Sequence, residues 1–248
     1  MSVSLCVIVP SRGLAGLLAS CLQALDGALE PLRGSYHCEV VVADNATNPP
    51  IDQSFLAKAT KRIRYDRHRS FSGIVNDAAS KHRDAHLLLL NNDVLLHPLS
   101  LLSMVKLLSQ SRVGVVGTRL VYPDGTIQHA GVYLSVVGPA HVARGVASPQ
   151  FPRTVTFPPA VTGATMLIRR ETFEDVHGFD EGYDFGSEDI DFCHRARQRG
   201  WQVACAQEVD SLHFEATTEG RRELDIPARA RYLARWFSSV PQSRPRSS

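Results

Sequence analysis

Apolar and polar positions alternate along this chain in short blocks, and the blocks predict its elements. Residues 5–9 form a continuous apolar run, the pattern of a strand buried on both faces, and Pro10-Ser-Arg-Gly13 ends it. Leu14, Leu17, Leu18, Cys21, Leu22 and Leu25 then recur at helical spacing. A second strand is predicted at 39–43 with Asp44-Asn45 at its end, a short helix at 55–59, and a third strand at 62–65. Residues 71–82 read as a helix with Ser70 or Ser72 as its N-cap. The run 86–90 is a fourth strand, too short to cross a membrane, and it leads into Asn91-Asn-Asp-Val94. A helix at 99–108 and a strand at 113–116 follow. Strands alternating with helices predict right-handed crossovers and a largely parallel sheet over residues 1–118.

The character changes after residue 118. Tyr122-Pro-Asp-Gly125 is a turn between extended segments. Residues 138–160 carry several Pro and Gly and read as a long, mobile loop. A strand is predicted at 161–168, opening on the small residues Thr162-Gly-Ala164, then a short helix at 171–176 and a loop at 178–186. Residues 187–199 form a helix stopped by Gly200. Residues 203–206 and 209–212 are extended, His213 follows, 222–237 form a last helix, and 241–248 read as a disordered tail. The expectation is one domain over 1–240, with a first half at 1–118 and a second at 119–240.

Composition narrows the class. With 44% hydrophobic and 21% charged residues among 248, the chain has an ordinary globular make-up. A net charge of +2 argues against broad electrostatic capture of nucleic acid. The five cysteines include no C-x-x-C pair, which suggests reduced structural thiols and a cytoplasmic setting. There is no signal-peptide pattern and no apolar run of spanning length.

Three groups of residues carry candidate chemistry. Pro10-Ser11-Arg12, Asp44-Asn45 and Asn91-Asn92-Asp93 end the first, second and fourth strands, and ligands bind at the carboxyl ends of strands in open α/β sheets. Asp93 is a plausible anchor for a divalent cation, since magnesium often takes one or two protein carboxylates and completes its shell with phosphate and water. Turn and capping roles for Asp93, and an Asx turn at Asp44-Asn45, stand beside these readings. The second group is Ser187-Glu-Asp-Ile-Asp191, at a predicted helix start. Ser187 and three acids there suit capping and the helix dipole. The alternative is that Asp189 projects into the crevice as a general base. The third is His213, a structural histidine or a metal ligand. No G-x-G-x-x-G or G-x-x-x-x-G-K-[ST] follows the first strand, which weighs against a dinucleotide oxidoreductase and a P-loop nucleotidase.

From about residue 5 to 218 the chain resembles the family 2 glycosyltransferases of GT-A fold, in particular bacterial enzymes of surface-polysaccharide assembly, rhamnosyltransferases among them. The resemblance rests on the order and spacing of V-I-V-P-S-R, V-V-V-A-D-N, L-L-L-L-N-N-D-V, Y-P-D-G-T-I-Q-H-A-G, V-T-G-A-T-M-L-I-R-R, G-F-D-E and G-S-E-D-I-D-F-C-H-R. It implies an α/β fold: a Rossmann-like, mostly parallel central sheet flanked by helices, with a smaller antiparallel sheet on the acceptor side. It also implies a nucleotide-diphosphate sugar donor, UDP- or dTDP-linked, Mn2+ or Mg2+, and inversion at the anomeric carbon.

Carried over by position, Asp44 binds the base, with Pro10, Ser11, Arg12 and Asn45 around it, and Asn76 joins the donor contacts. Asn91, Asn92 and Asp93 occupy the D-x-D motif, Asp93 and His213 hold metal, and Asp189 is the catalytic base. Gly163, Ala164, Glu188 and Asp191 fall on the acceptor side. The implied partner is a glycan or lipid-linked glycan, reached from the cytoplasm or the inner membrane face. The last helix, with Arg229, Arg231, Tyr232, Arg235, Trp236 and Phe237, either touches the membrane surface or packs on the domain.

This chain departs from the pattern at Asn91, the first acid of D-x-D, at Arg12-Gly13, and at His68-Arg-Ser-Phe71. The loop at 138–160 is a candidate lid over the donor. A sugar-phosphate nucleotidylyltransferase and a non-catalytic scaffold are the rival readings. The first lacks its glycine-rich basic loop here, and retention of both Asp93 and Asp189 argues against the second.

Overall fold

The computed structural model describes residues 3–56, 60–135, 138–215 and 221–237. The tail expected at 241–248 lies outside them, as do residues 57–59 of the short helix expected at 55–59, whose described part is a 3-10 turn at Gln53–Phe55. Three strands, β1 (Val3–Ser11), β2 (Tyr36–Asn45) and β3 (Thr60–Tyr65), run parallel in the order β3-β2-β1, and β4 (Ala85–Leu90) adds in parallel on the other side of β1. The remaining strands of the main sheet are β5 (Val94–Leu95), β6 (Val113–Val121), β7 (Ile127–His129), β10 (Thr165–Ile168) and β11 (Gln202–His213). The sheet reads β3-β2-β1-β4-β10-β6-β11-β5, with β7 paired to β6. β8 (Val132–Ser135) and β9 (Gly138–His141) form a separate antiparallel hairpin.

The strand at 113–116 therefore does not sit beside β4. β10 lies antiparallel between them, pairing Leu167 with Leu88 on one side and with Val116 on the other. The two extended segments at 203–206 and 209–212 are one strand, β11, with its register shifted between Ala206 and Ser211.

Alternation along the strands builds two cores. Leu5, Val7 and Val9 of β1 and Leu88 and Leu90 of β4 pack with α1 (Ala15–Leu29) and α3 (Pro98–Leu108). Cys6, Ile8, Leu87 and Leu89 point the other way. They pack with α2 (Phe71–Ser80), α4 (Arg170–Asp175) and α5 (Glu188–Gln198). Side chains of successive strand residues face opposite ways, so one apolar run supplies both layers. Ser70 caps α2 by accepting the Gly73 N–H. Ser187 stands at the N-cap of α5 in a left-handed conformation and makes no side-chain capping bond. All five cysteines are free, and four of them are buried.

One expectation changes, and for the last helix the packing alternative is the one seen. The segment 138–160 is pinned at several points: β9 pairs with β8, Thr156 bridges to Cys205, and Arg144 pairs with Glu215 at 3.0 Å. Arg119, fully buried on β6, donates to the Ser148 and Phe151 carbonyls at 3.5 Å and to the Pro152 carbonyl. Backbone carbonyls, Gln207 Oε1 at 3.2 Å and the Asp210 carboxylate at 3.8 Å compensate the terminal nitrogens of this buried guanidinium, while its Nε has no partner among the described residues. These ties oppose the lid reading of 138–160. The last helix, α6 (Arg221–Phe237), packs on the domain: Tyr232 is fully buried, and Trp236 stacks on His194 with centroids 3.9 Å apart.

Backbone approach at the centre of the sheet yields a stability prediction. A Cβ at Gly117 on β6 would lie 2.6 Å from Cβ of Val161. Overpacking of this kind costs about 1–3 kcal/mol, so Gly117→Ala should lower the urea midpoint. An unchanged midpoint would mean that Val161 yields freely.

Candidate active site

The strand ends converge on a crevice of about 1460 Å³ that runs between the ends of β1, β2 and β4 and the β8–β9 hairpin. Pro10, Ser11 and Arg12 line it from β1, Asn45 from β2, and Asn91, Asn92 and Asp93 from the end of β4. Gly163 and Ala164 lie in its wall with Glu188 and Asp189 of α5, and His213 enters from the end of β11. Asn92 donates to Ser11 Oγ at 2.9 Å, and the Asn91 N–H donates to the Ala164 carbonyl at 2.9 Å. The short strand β5 aligns His213 with Val94, and this register brings His213 Nε2 to 3.2 Å from Asp93 Oδ1. Both side chains are nearly buried.

The Asp93–His213 pair is the place to test the implied cation. Gln128 Oε1 faces His213 Nδ1 at 3.2 Å. A carbonyl oxygen only accepts, so Nδ1 carries a proton and Nε2 is directed at the carboxylate. A lone pair and a carboxylate oxygen at that separation need a proton or a cation beside them. The donors fit Mg2+ or Mn2+ only if diphosphate and water complete the shell. Among the described residues no three His, Cys, Asp or Glu side chains form a closed metal cage.

Asp189 is held from the backbone. Its Oδ2 accepts the Gly163 N–H at 2.7 Å and its Oδ1 accepts the Ile190 N–H at 2.8 Å. Gly163 permits this approach, since a Cβ there would sit 3.3 Å from Cβ of Asp189. A carboxylate can accept about four hydrogen bonds, so these two N–H donors fix its orientation without using its full accepting capacity.

Three expected site residues do not line the crevice. Asp191 is fully buried and accepts from Arg195 at 2.7 Å and from Trp236 Nε1 at 2.9 Å. Two residues along a helix is more than half a turn, so Asp191 faces α6 when Asp189 faces the crevice. Asn76 clamps the loop after α4, accepting from the Phe179 N–H and donating to the Phe179 carbonyl, both at 2.9 Å. Phe71 and Ile74 are the α2 residues in the crevice wall instead.

Asp44 is the third. It is fully buried, accepts the Thr47 and Ile51 N–H groups at 3.1 and 3.2 Å, and pairs with Arg64 at 2.8 Å. Burial by itself would raise its carboxyl, but Arg64, Thr47 and Ile51 outweigh burial and hold it below the usual range. Asn45 is clamped to both the N–H and the carbonyl of Arg69 at 2.9 Å.

Several crevice residues carry no periodic or motif signal that singles them out. Gln128, Tyr133, His141, Arg144 and Arg229 of α6 line it alongside His68. Burial, and then Arg12, pushes the His68 imidazole below its ordinary range. Gln128 lies inside Y-P-D-G-T-I-Q-H-A-G, His68 opens the departing stretch His68-Arg-Ser-Phe71, and Arg229 is on the last helix, while Tyr133, His141 and Arg144 fall in no recognised stretch.

A Rossmann-like half, one antiparallel strand set into the sheet beyond it, and a carboxylate–histidine pair in the crevice define a glycosyltransferase of the GT-A fold. The glycosyltransferase-like family 2 model matches residues 4–239, and the chain belongs to that family. The O-antigen biosynthesis protein RfbC of Myxococcus xanthus is 29% identical over 232 residues, covering 89% of this chain and 18% of that protein. The N-acetylglucosaminyl-diphospho-decaprenol L-rhamnosyltransferase of Mycobacterium tuberculosis is 27% identical over 162 residues, covering 60% of this chain and 53% of that enzyme. This chain thus spans about a fifth of the first relative and half of the second.

Two solved structures share the fold. GalNAc-T7 with UDP, GalNAc and Mn2+ superposes with a TM-score of 0.64 at 15% identity, over 86% of this chain and 44% of that one. The mannosyltransferase PcManGT from Pyrobaculum calidifontis with GDP-Man and Mn2+ gives 0.61 at 19% identity, over 92% and 61%.

Asp44 carries the prediction from this geometry. Asp44→Ala leaves two N–H groups and Arg64 without their acceptor, at a cost of about 1.5–3 kcal/mol. Its folded pKa is lowered. Its contribution is therefore complete above the unfolded carboxylate value near 4 and is lost as pH falls through the folded value. The stability gap between wild type and Asp44→Ala in urea titrations should narrow below about pH 4. A gap constant down to about pH 2 would remove the charge from the account.

Proposed function

We propose that this chain moves one sugar from a UDP- or dTDP-sugar to a hydroxyl of a glycan or lipid-linked glycan in bacterial surface-polysaccharide assembly. The reaction inverts the anomeric carbon. The observation that carries this reading is that Asp189, oriented by the Gly163 N–H, lines the same crevice as the Asp93–His213 pair. The relatives' names, O-antigen biosynthesis protein and L-rhamnosyltransferase, support the acceptor class. Both solved structures carry a nucleotide or nucleotide sugar with Mn2+, which supports the donor class.

In this mechanism Asp189 takes the proton of the acceptor hydroxyl as its oxygen attacks the anomeric carbon. The bond from that carbon to the diphosphate oxygen breaks, and the electron pair leaves with the nucleoside diphosphate. Asp93 and His213 would hold Mn2+ or Mg2+, which supplies charge neutralisation for the leaving diphosphate. Glu188, also in the crevice wall, is a contact for the acceptor, and Ser11 with Asn92 shapes the donor end. Asp44 serves the donor pocket from behind by fixing the turn at 44–51. No helix among the described residues is long and apolar enough to cross a membrane. Ile226 and Phe237 on α6 are exposed, which supports peripheral contact with the inner membrane face that carries the acceptor. The nucleotidylyltransferase reading gains no support from the crevice, whose β1 end offers Pro10-Ser11-Arg12 and no glycine-rich phosphate loop.

Two experiments test this function. Chelation should abolish transfer and Mn2+ or Mg2+ should restore it. Asp93→Ala should weaken nucleotide binding in calorimetry only when metal is present, and equal affinity in all four conditions would remove Asp93 from this role. Asp189→Asn should fold, bind donor and lose a factor of about 10²–10⁴ in single-turnover transfer. Near-wild-type turnover would move the base to Glu188, and release of no nucleotide from any nucleotide sugar by the wild-type chain would favour a scaffold.

A further inference from the structure

The three residues of β7 hold two histidines of the crevice at once. Alternation sends Gln128 and His129 to opposite sides of the strand. Gln128 takes His213 as described. His129 is fully buried, and its Nδ1 lies 2.8 Å from Nδ1 of His141, a crevice-lining residue on β9. The two rings meet edge-on, with centroids 5.0 Å apart.

The protons on this pair follow from its backbone contacts. His129 Nε2 accepts the Gly131 N–H at 3.2 Å and the Thr162 N–H at 3.4 Å. A ring nitrogen that accepts carries no proton, so the proton of His129 is on Nδ1. The two N–H donors to Nε2 make the ring neutral, and burial first, then His141 and His213, shift the His129 pKa in the same direction, well below its ordinary value. His129 Nδ1–H therefore donates to His141 Nδ1, and the proton of a neutral His141 must sit on Nε2. The two crevice histidines are thus set to opposite tautomers. His213 keeps its Nδ1 proton toward Gln128, and His141 carries its N–H on Nε2.

We propose that His141 is a substrate-binding residue whose Nε2–H donates to a diphosphate oxygen of the nucleotide sugar, and that His129 is the positioning residue that fixes this tautomer. The assignment rests on the donor class proposed above. It follows from the site's charge pattern: Asp93 and His213 would hold a cation that offsets diphosphate charge, and a neutral N–H on His141 adds a hydrogen-bond donor without competing for it. His129 also ties this donor to the base. Thr162 gives its N–H to His129, and the next residue, Gly163, gives its N–H to Asp189. One turn thus references both groups to the same backbone.

The test has two readouts. In the metal-free protein with 15N-labelled histidine, long-range 15N–1H spectra at neutral pH should show His129 as the Nδ1–H tautomer and His141 as the Nε2–H tautomer. Calorimetry with inorganic pyrophosphate and Mn2+ should show His141→Ala weakened about ten- to a hundredfold, the range for a hydrogen bond to a charged group. His141→Gln, whose amide keeps an N–H at a comparable reach, should recover most of that loss. His141 in the Nδ1–H form, or wild-type pyrophosphate affinity in His141→Ala, would overturn this proposal and leave the glycosyltransferase reading standing. A wild-type chain that binds neither pyrophosphate nor any nucleoside diphosphate with Mn2+ would overturn both.

Discussion

The pairing of β5 with the end of β11 is the constraint on which the crevice depends. β5 is two residues long, and its register sets His213 opposite Val94, next in sequence to Asp93. The Phe214 N–H donates to the Asp93 carbonyl at 3.1 Å, which carries the pairing past the strand. The two groups, 120 positions apart in sequence, meet only because backbone hydrogen bonds hold this edge. A one-residue slip would turn His213 to the other face of the sheet. The site is thus built by main-chain register before any side chain is chosen.

The same logic runs through the wall of the crevice. β10 lies antiparallel between β4 and β6, and the residues just before it, Thr162 to Ala164, are delivered to the carboxyl end of β4. There the Ala164 carbonyl receives the Asn91 N–H, Gly163 meets Asp189, and Thr162 meets His129. Three consecutive residues with small or short side chains hold three parts of the site through their main-chain groups. Larger residues would separate α5 from the sheet, as the 3.3 Å approach at Gly163 indicates.

Charged groups behind the site tie neighbouring elements together, which holds the geometry. Asp191 ties α5 to α6 through Trp236 and Arg235, Asp44 ties β2 to β3 through Arg64, and Arg119 holds the segment around 148–152. Removing one partner of such a buried pair leaves the other uncompensated. These residues act on the crevice by fixing what lines it.

The strand and helix pattern, the parallel first half and the family were legible in the chain, because apolar runs of strand length and helical spacing are local properties. So were Asp93, Asp189 and His213 as candidates, since residues that follow a strand or open a helix are ordered along the sequence. Orientation was not legible. Asp44, Asn76 and Asp191 look as polar as the true lining, yet their side chains are taken by Arg64, by Phe179 and by Arg195 with Trp236. Those partners lie on other elements except Arg195, four residues on in the same helix. The histidine pair needed β7 to reach β6 and the hairpin to fold back, contacts that no local pattern encodes. What the sequence determined by itself was the helices and the apolar, buried strands with the residues that end them; the short strands β5, β7, β8 and β9 carry no such pattern. The tertiary structure alone decided which of those residues face the crevice, because that depends on the register and partners of strands far apart in the chain.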